Sequence, residues 1–353
     1  MEIFTLGTSA AVPTKDRRLS ATVIRCDDWS YIVLDIGEDF QRAFNEAKLK
    51  FNKFTLIFIS HMHADHVSGL PGFLASLALK GRTEPLVIIG PEGIFPFIVS
   101  LIKYLNVVFI SKTTIIEYTI NALGEIKGKK YWTKGLDQKN KSMQFNQEEY
   151  QNKEAIVYSS ERYSLMLMEV DHSIKSAGIR IKFPETPGKF NIDKVKALNI
   201  PPGHLYKKIA KGEPIEFEGK RIVPIEYGLI DPPKKGPVIV YTGDSRICDA
   251  LIALAKDADA LISECTFTNE HQDQAEENKH MSTSDLIYLV QQSGAKNVIA
   301  THISNRYKDP TAIKEELQKE LENVFVANDL DIFRLKNGSV VFLGNSKNNE
   351  NNG

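Results

Sequence analysis

The fold class this sequence predicts is an α/β sandwich, and three observations predict it. Short apolar runs rich in β-branched residues, such as Leu56-Ile57-Phe58-Ile59, PLVIIG and VIVY, read as strands buried on both faces. Amphipathic stretches of helical length, among them GEDFQRAFNEAKLKF and CDALIALAKDA, separate them. Residues 1–36 read instead as antiparallel hairpins (EIFTL, ATVIRC, YIVLDIG), which suit one half of a sandwich.

The composition is that of an ordinary globular chain of 353 residues, 42% hydrophobic and 25% charged, with a net charge of −1. No apolar run approaches the roughly 20 residues that span a bilayer, so no membrane partner is expected. The start, MEIFTLGTSAAVP, reads as strand and turn, not as a signal peptide. Three widely spaced cysteines, Cys26, Cys248 and Cys265, form neither a disulfide framework nor a CxxC site, so a reducing cytoplasm is expected.

Taken in order, the first polar loop, PTKDRRLS, places Arg17 and Arg18 either as a solvated pair or as substrate-facing charges. The stretch after strand 56–59 changes character at once: His61, His63, Asp65 and His66 fall within HMHADH. Imidazole and carboxylate are the ligand set of zinc and its neighbours in the first transition row. In an extended turn, alternate residues point the same way, so His61 and His63 can reach one metal and Asp65 and His66 a second. PGFLASLALKG follows as a helix, PLVIIG as a strand, and PEGIFPFIVSLIKYL as a helix with Pro91 and Glu92 at its start.

Residues 124–155 are polar and mixed in charge and read as an extended hairpin or loop insertion. Its lysines, Lys127, Lys129, Lys130 and Lys134 around Tyr131 and Trp132, suit a solvated surface better than an RNA contact. In SLMLMEVDHSIKSAGIRIKF, His172 sits just past an apolar strand and supplies the third imidazole that a metal on His61 and His63 needs. Asp244 follows the strand VIVY, and its two oxygens can bridge two metals. Glu264 lies in the strand ALISECTF, His280 precedes a helix capped by Ser282 or Thr283, and His302 ends the strand NVIAT, with Arg306 and Tyr307 beyond. The helix TAIKEELQKEL and the strands FVAND and SVVFLG close the domain, and the Asn-rich tail at 346–353 reads as disordered.

Between these elements, residues 183–220 are rich in Pro, Gly and Lys, with two short helical pieces, IDKVKAL and GHLYKKIAKG. From Arg180 to Arg221, ten basic residues stand against five acidic ones, a local balance of +5 in a chain of net −1. Lys207, Lys208 and Lys211 are spaced so that a short helix shows at least two of them on one face.

HMHADH resembles the HxHxDH signature of the metallo-β-lactamase superfamily. With the following Gly-Leu-Pro-Gly, TGDSR, HISNRY and the Pro-Pro-Gly, Tyr and Lys-x-Gly pattern of 183–220, the chain resembles the ribonuclease Z family of tRNA 3′-processing endonucleases. The resemblance implies a single domain over 1–353 with the four-layer αβ/βα metallo-β-lactamase sandwich and a protruding flexible arm at 183–220. It implies two zinc ions per subunit, with manganese or iron also suited to the ligands. One is held by His61, His63 and His172, the other by Asp65, His66 and His302, with Asp244 bridging. Asp65 would orient the attacking water or take its proton. His280, oriented by Glu264, would stabilise the transition state or protonate the leaving 3′-oxygen. The implied substrate is precursor tRNA, contacted by Lys207, Lys208, Lys211 and Arg306, and the implied assembly is a homodimer. Alternatives are a phosphodiesterase of the same fold acting on small or cyclic nucleotides, and a non-catalytic RNA-binding relative. The chain departs from the family pattern at Asp39-Phe40, at Ser60, at Cys265, at Met281, which reads as an insertion between His280 and Ser282, and in the length of 124–155.

Overall fold

The computed structural model describes residues 1–121, 125–135, 143–152 and 155–347. Its strands are β1 (Glu2–Gly7), β2 (Ala21–Arg25), β3 (Tyr31–Leu34), β4 (Thr55–Phe58), β5 (Leu86–Pro91), β6 (Thr113–Ile120), β7 (Ile126–Thr133), β8 (Asn146–Asn152), β9 (Ile156–Ser159), β10 (Ser164–Val170), β11 (Ser176–Lys182), β12 (Ile215–Phe217), β13 (Lys220–Ile222), β14 (Val238–Tyr241), β15 (Ala260–Glu264), β16 (Val298–Thr301), β17 (Val324–Val326), β18 (Asp331–Lys336) and β19 (Ser339–Asn345). Two compact units result, one of residues 1–159, 164–181 and 238 onward, the other of 160–163 and 182–237.

The first unit holds two sheets, one ordered β19-β18-β1-β2-β3-β4-β5-β6-β7-β8 and one ordered β17-β16-β15-β14-β11-β10-β9. The hairpins expected at the start are β1 to β3, paired antiparallel. From β3 to β6 and from β14 to β17 the pairing is parallel, as the continuous apolar runs require. Every residue of β4 is buried, and its side chains alternate between two cores. Ile57 packs with Phe40, Phe44, Phe73 and Leu74 of the covering helices. Leu56 and Phe58 face the other way, toward the second sheet, to which the backbone is tied by the bond from Ala177 N–H to Ser60 O (3.1 Å). The second sheet is covered in turn by helices 249–255, 283–293 and 311–320, through Leu251, Leu286 and Leu317 among others. The result is four layers, helix-sheet-sheet-helix, as expected.

Several details differ from the sequence reading. Asp65 and His66 lie not in an extended turn but on one helical turn, Ala64–Val67. Helix Ile94–Leu105 starts after Gly93, whose φ of 104° only glycine adopts readily; Pro91 ends β5 instead. The 124–155 stretch forms a hairpin, β7 with β8, on the edge of the first sheet, with Lys130 paired to Glu148 at 2.8 Å and Tyr131 buried against the Phe95 ring. Residues 124, 136–142 and 153–154 of it lie outside the described residues, as do 348–353 of the expected tail. Ser346, assigned to that tail, is buried and its hydroxyl donates to Leu330 O.

Arg17 and Arg18 are not a freely solvated pair. Arg17 is buried and donates to Thr8 Oγ1, Ala327 O and Asn328 Oδ1, which ties the first loop to the last turn before β18. Arg18 pairs with Asp39 and Glu46, both at 2.7 Å. Asp39, where the family pattern has a small residue, therefore has an ionic partner.

The second unit has its own small core of Val195, Ile200, Ile209, Ile215, Ile222 and Leu229. Helices Ile192–Ala197, capped by Asn191, and His204–Ala210 fall where the sequence places them. The unit extends past the expected limit at 220. The stretch RIVPIEYGLI is strand only as far as Ile222, then folds into turns closed by Leu229 N–H to Pro224 O (2.8 Å), because Ile222 and Leu229 are needed in the core. Its two ends are held together by Phe183 N–H to Pro237 O at 3.1 Å. Lys207, Lys208 and Lys211 are all exposed.

The buried fork of Arg17 generates a prediction. Arg17→Ala leaves two carbonyl-type acceptors and a hydroxyl without their donor, so stability to urea should fall by about 2–3 kcal/mol. An unchanged denaturation midpoint would show that these bonds contribute nothing net.

Candidate metal centre

Parallel pairing brings the expected site residues to one place. In a parallel sheet all carboxyl ends lie at one edge, and ligands gather in the loops that leave it. His61 and His63 leave β4, His172 leaves β10, Asp244 follows β14, Glu264 ends β15 and His302 follows β16. The register sets Glu264 beside Thr301, one residue before His302.

Two groups of ligand atoms form at this edge. In the first, His63 Nδ1 lies 3.0 Å from His61 Nε2 and 3.2 Å from His172 Nε2. In the second, His66 Nε2 and His302 Nε2 lie 3.3 Å apart, and each is 3.4 Å from Asp65 Oδ2. Asp244 Oδ2 is 3.1 Å from His66 Nε2 and 3.2 Å from His302 Nε2, and 3.8 Å from His61 Nε2, so one oxygen borders both groups. Six of these seven residues are buried, and His63 is half-buried.

The donor set fits divalent metal. Bonds of about 2.0–2.1 Å from a tetrahedral ion to nitrogen put neighbouring ligand atoms about 3.3–3.4 Å apart, close to the spacings seen here. The outward nitrogens are already engaged. His66 Nδ1 is 2.7 Å from Asp35 Oδ2, and His172 Nδ1 is 3.1 Å from Lys279 O; both partners can only accept, so those nitrogens donate. The inward nitrogens of His66 and His172 are then left with lone pairs. His61 Nδ1 contacts Ser60 Oγ at 2.9 Å, and His302 Nδ1 contacts Thr266 Oγ1 at 3.0 Å. Lone pairs and carboxylates facing one another require a cation.

The electrostatics agree. Burial, reinforced by neighbouring imidazoles, pushes His61 down to about 2 and lowers His63 and His172, the neutral form that ligates metal. Burial opposes the charge on Asp65 and Asp244, but the surrounding histidines outweigh it and hold both carboxyls well below the usual range. Burial also opposes a charge on His66, yet Asp244 and Asp35 outweigh it and raise that imidazole; the same anionic surroundings that would draw a proton there draw a metal cation.

His280 stands beside both groups, its ring centroid 5.1 Å from that of His172 and 5.3 Å from that of His302. Its Nδ1 meets both oxygens of Glu264 at 3.0 and 3.1 Å. Burial disfavours the imidazolium, but the charge of Glu264 outweighs it and raises His280 to about 9. Glu264 is itself fixed by Ser245 N–H, Met281 N–H and the Thr266 hydroxyl. The side chain of Met281 fills the helix-side core, and Ser282 caps helix 283–293 through a reciprocal bond with Asp285. Arg306 lies nearby, its guanidinium 5.2 Å from the Phe267 ring centre, whose ring faces His280. Lys207, Lys208 and Lys211 belong to the second unit.

Sequence reasoning missed the residue at the base of the site. Asp35 is fully buried and accepts from Ser60 N–H and Ser60 Oγ (both 2.7 Å) and from the Tyr241 hydroxyl (2.6 Å), besides engaging His66. The signal was present: Asp35 follows the apolar strand YIVL as His61 follows TLIF. Ser60, which replaces the family's usual threonine, keeps the hydroxyl that this network uses. Removing such an orienting partner costs metal affinity about 10–100-fold. We predict a loss of that size for Asp35→Ala in chelator competition, with the far-UV spectrum retained. Affinity equal to that of the parent chain would refute the orienting role.

Comparison with known proteins places the chain. A family model described as the anti-Pycsar protein Apyc1 matches residues 1–95. Ribonuclease Z of Methanosarcina acetivorans is 33% identical over 333 residues, 94% of this chain and 96% of that one. Ribonuclease Z of Bacillus subtilis is 33% identical over 327 residues, 92% and 94% of the two chains. Among solved structures, the short form of human tRNase Z superposes with a TM-score of 0.61 at 21% identity, covering 95% of this chain and 100% of that one, and shares its fold. With a third of its residues identical to those relatives over nearly the full length of both chains, this protein belongs to the ribonuclease Z family.

Proposed function

We propose that this protein is a metal-dependent endoribonuclease that removes the 3′ trailer from precursor tRNA, leaving a 3′-OH on the tRNA and a 5′-phosphate on the trailer. The observation that carries the reading is the donor set, His61, His63, His172, Asp65, His66, Asp244 and His302, in a chain that matches a ribonuclease Z over 94% of its length. The proposed occupants are two zinc ions per subunit, with Asp244 shared. The proposed setting is a cytoplasmic homodimer; among the described residues no helix is long and apolar enough to cross a membrane.

Two such ions, when bound, supply Lewis acidity toward the phosphoryl oxygens and a nucleophile at neutral pH. The chain's own groups do the rest. Asp65, held by Ala11 N–H at 2.9 Å, orients the attacking water and accepts its proton. Glu264 fixes Nδ1 of His280, so that Nε2 is the nitrogen available to donate to the phosphoryl group or the leaving 3′-oxygen. Arg306 and the exposed lysines of the second unit neutralise RNA phosphates, which adds affinity without reading sequence. A phosphodiesterase acting on small or cyclic nucleotides would share the donor set but has no use for the basic stretch Arg180 to Arg221, with its +5 balance, and a non-catalytic relative has no reason to keep every ligand.

The deciding experiment is incubation with a precursor tRNA carrying a 3′ trailer, followed by end analysis. A 2′,3′-cyclic phosphate would mean that the RNA's own hydroxyl attacks, and would sink the mechanism. For His280→Ala we predict two metals per subunit by elemental analysis and a turnover lower by about 10²–10⁴-fold. Loss of metal in that variant would make His280 a ligand, as its proximity to His172 and Asp244 also permits.

The second unit supplies a further prediction. Because Phe183 and Pro237 are hydrogen-bonded, a short Gly-Ser linker can replace residues 184–236 without cutting through the small core. Metal content should persist while precursor tRNA cleavage falls at least about 100-fold, and the parent's affinity should weaken steeply with salt. Cleavage at the parental rate would deny the unit any part in substrate binding.

A further inference from the structure

Two residues outside the ligand set, Asp171 and Lys279, grip the ligand His172 from both sides. Helix Gln272–Asn278 ends at Lys279, which adopts the left-handed conformation with φ 55° and ψ 50°. That reversal turns its carbonyl to Nδ1 of His172, which donates at 3.1 Å. Its ammonium returns over the same residue, donating to His172 O at 3.2 Å and pairing with Asp171 Oδ1 at 2.9 Å. Asp171 Oδ2 accepts from Arg246 Nε, and Arg246 N–H donates to Asp171 O at 3.0 Å. Arg246 lies two residues past Asp244, and His280 directly follows Lys279. Three segments that carry site residues thus meet at one carboxylate: the ends of β10 and β14 and the loop that bears His280.

We infer that Lys279 and Asp171 are positioning residues, which together set the His172 ring against the first ligand group and His280 beside it. The inference rests on the metal-binding reading above. The residue type at 279 supports it. A left-handed helix end favours glycine, and a side chain with a Cβ is strained there. A lysine is doubly out of place, because its charge sits next to a centre that collects cations. The contacts to Asp171 and His172 O give it a use. The ion pair is part-exposed (39% for Lys279, 31% for Asp171) and contributes little to global stability. What it supplies is aim: a carbonyl orients an imidazole ligand only as firmly as its own residue is held.

Lys279→Gly separates positioning from the other roles open to this side chain. It removes the ammonium and relieves the backbone, so the urea midpoint should hold or rise. Charge alone predicts tighter metal binding, since a neighbouring cation has gone. Loss of the clamp predicts the reverse. In chelator competition one of the two zinc ions should leave about 10–100-fold more readily, with the other within threefold of the parent. Lys279→Arg, whose guanidinium can serve both acceptors, should return the weakened ion to within threefold of the parent. Asp171→Ala should reproduce the one-ion loss with the far-UV spectrum retained. Zinc affinity unchanged or tightened in Lys279→Gly, or weakened equally for both ions, would overturn the inference. A second readout needs no metal. After chelation, the amides of His280 and Met281, which donate to Ala275 O and to Glu264, should exchange with solvent at least tenfold faster in Asp171→Ala than in the parent. Unchanged exchange would overturn the clamp. A parent that binds no zinc, yet shows this tenfold difference, would overturn the metal-binding reading and leave the clamp standing.

Discussion

Lone pairs and carboxylates held 3.0–3.4 Å from one another repel unless positive charge lies between them, and the strand-end geometry of this protein creates that crowding. The two parallel segments of sheet set it up. They deliver the ends of β4, β14 and β16 to one edge, with β10 adding His172, and each strand's apolar body locks its terminal ligand in place by burial on both faces. The ligand cluster is thus an electrostatic cost of the apolar fold, offset by the ions the site is built to hold.

A smaller cost is visible in the backbone. Ala11, Asp35, Lys279 and His302 all have positive φ, between 55° and 57°, in a region that residues other than glycine, asparagine and aspartate rarely adopt. Each makes a specific contribution to the site. Ala11 turns its N–H to Asp65, Asp35 its carboxylate to His66, Lys279 its carbonyl to His172, and His302 its own ring to the second group. Asp35 adopts it readily, but the other three, Ala11, Lys279 and His302, fit a site in which local strain of about 1 kcal/mol or more per residue is tolerated for the sake of aim.

Much of this was legible in the sequence, because ligand residues directly follow apolar runs and such runs are unambiguous. His61, His172 and His302 were readable as a cluster on that ground, and Asp244 only once they were in hand. Asp35 obeyed the same rule and was passed over, since a single aspartate after a strand is also an ordinary turn residue. The strands β6 and β18 were missed although TTIIEYTI and DIFRLK carry strand-like residues, because neither bears a site residue to draw attention. The solvated reading of Arg17 and Arg18 failed because charge patterning is blind to partners elsewhere in the chain: Thr8, Ala327 and Asn328 for one, Asp39 and Glu46 for the other. The second unit runs past the expected limit of 220, since its apolar residues Ile222 and Leu229 look from sequence like the resumption of a strand.

The first and last ligands, His61 and His302, are far apart in the chain, and the loop between them contains the whole second unit. The second ligand group cannot close until β16 has paired with β15 and delivered His302. A chain lacking β16 keeps the three histidines of the first group but only Asp65, His66 and Asp244 of the second. A filled second group would therefore report that the long-range parallel pairing of β16 has already succeeded.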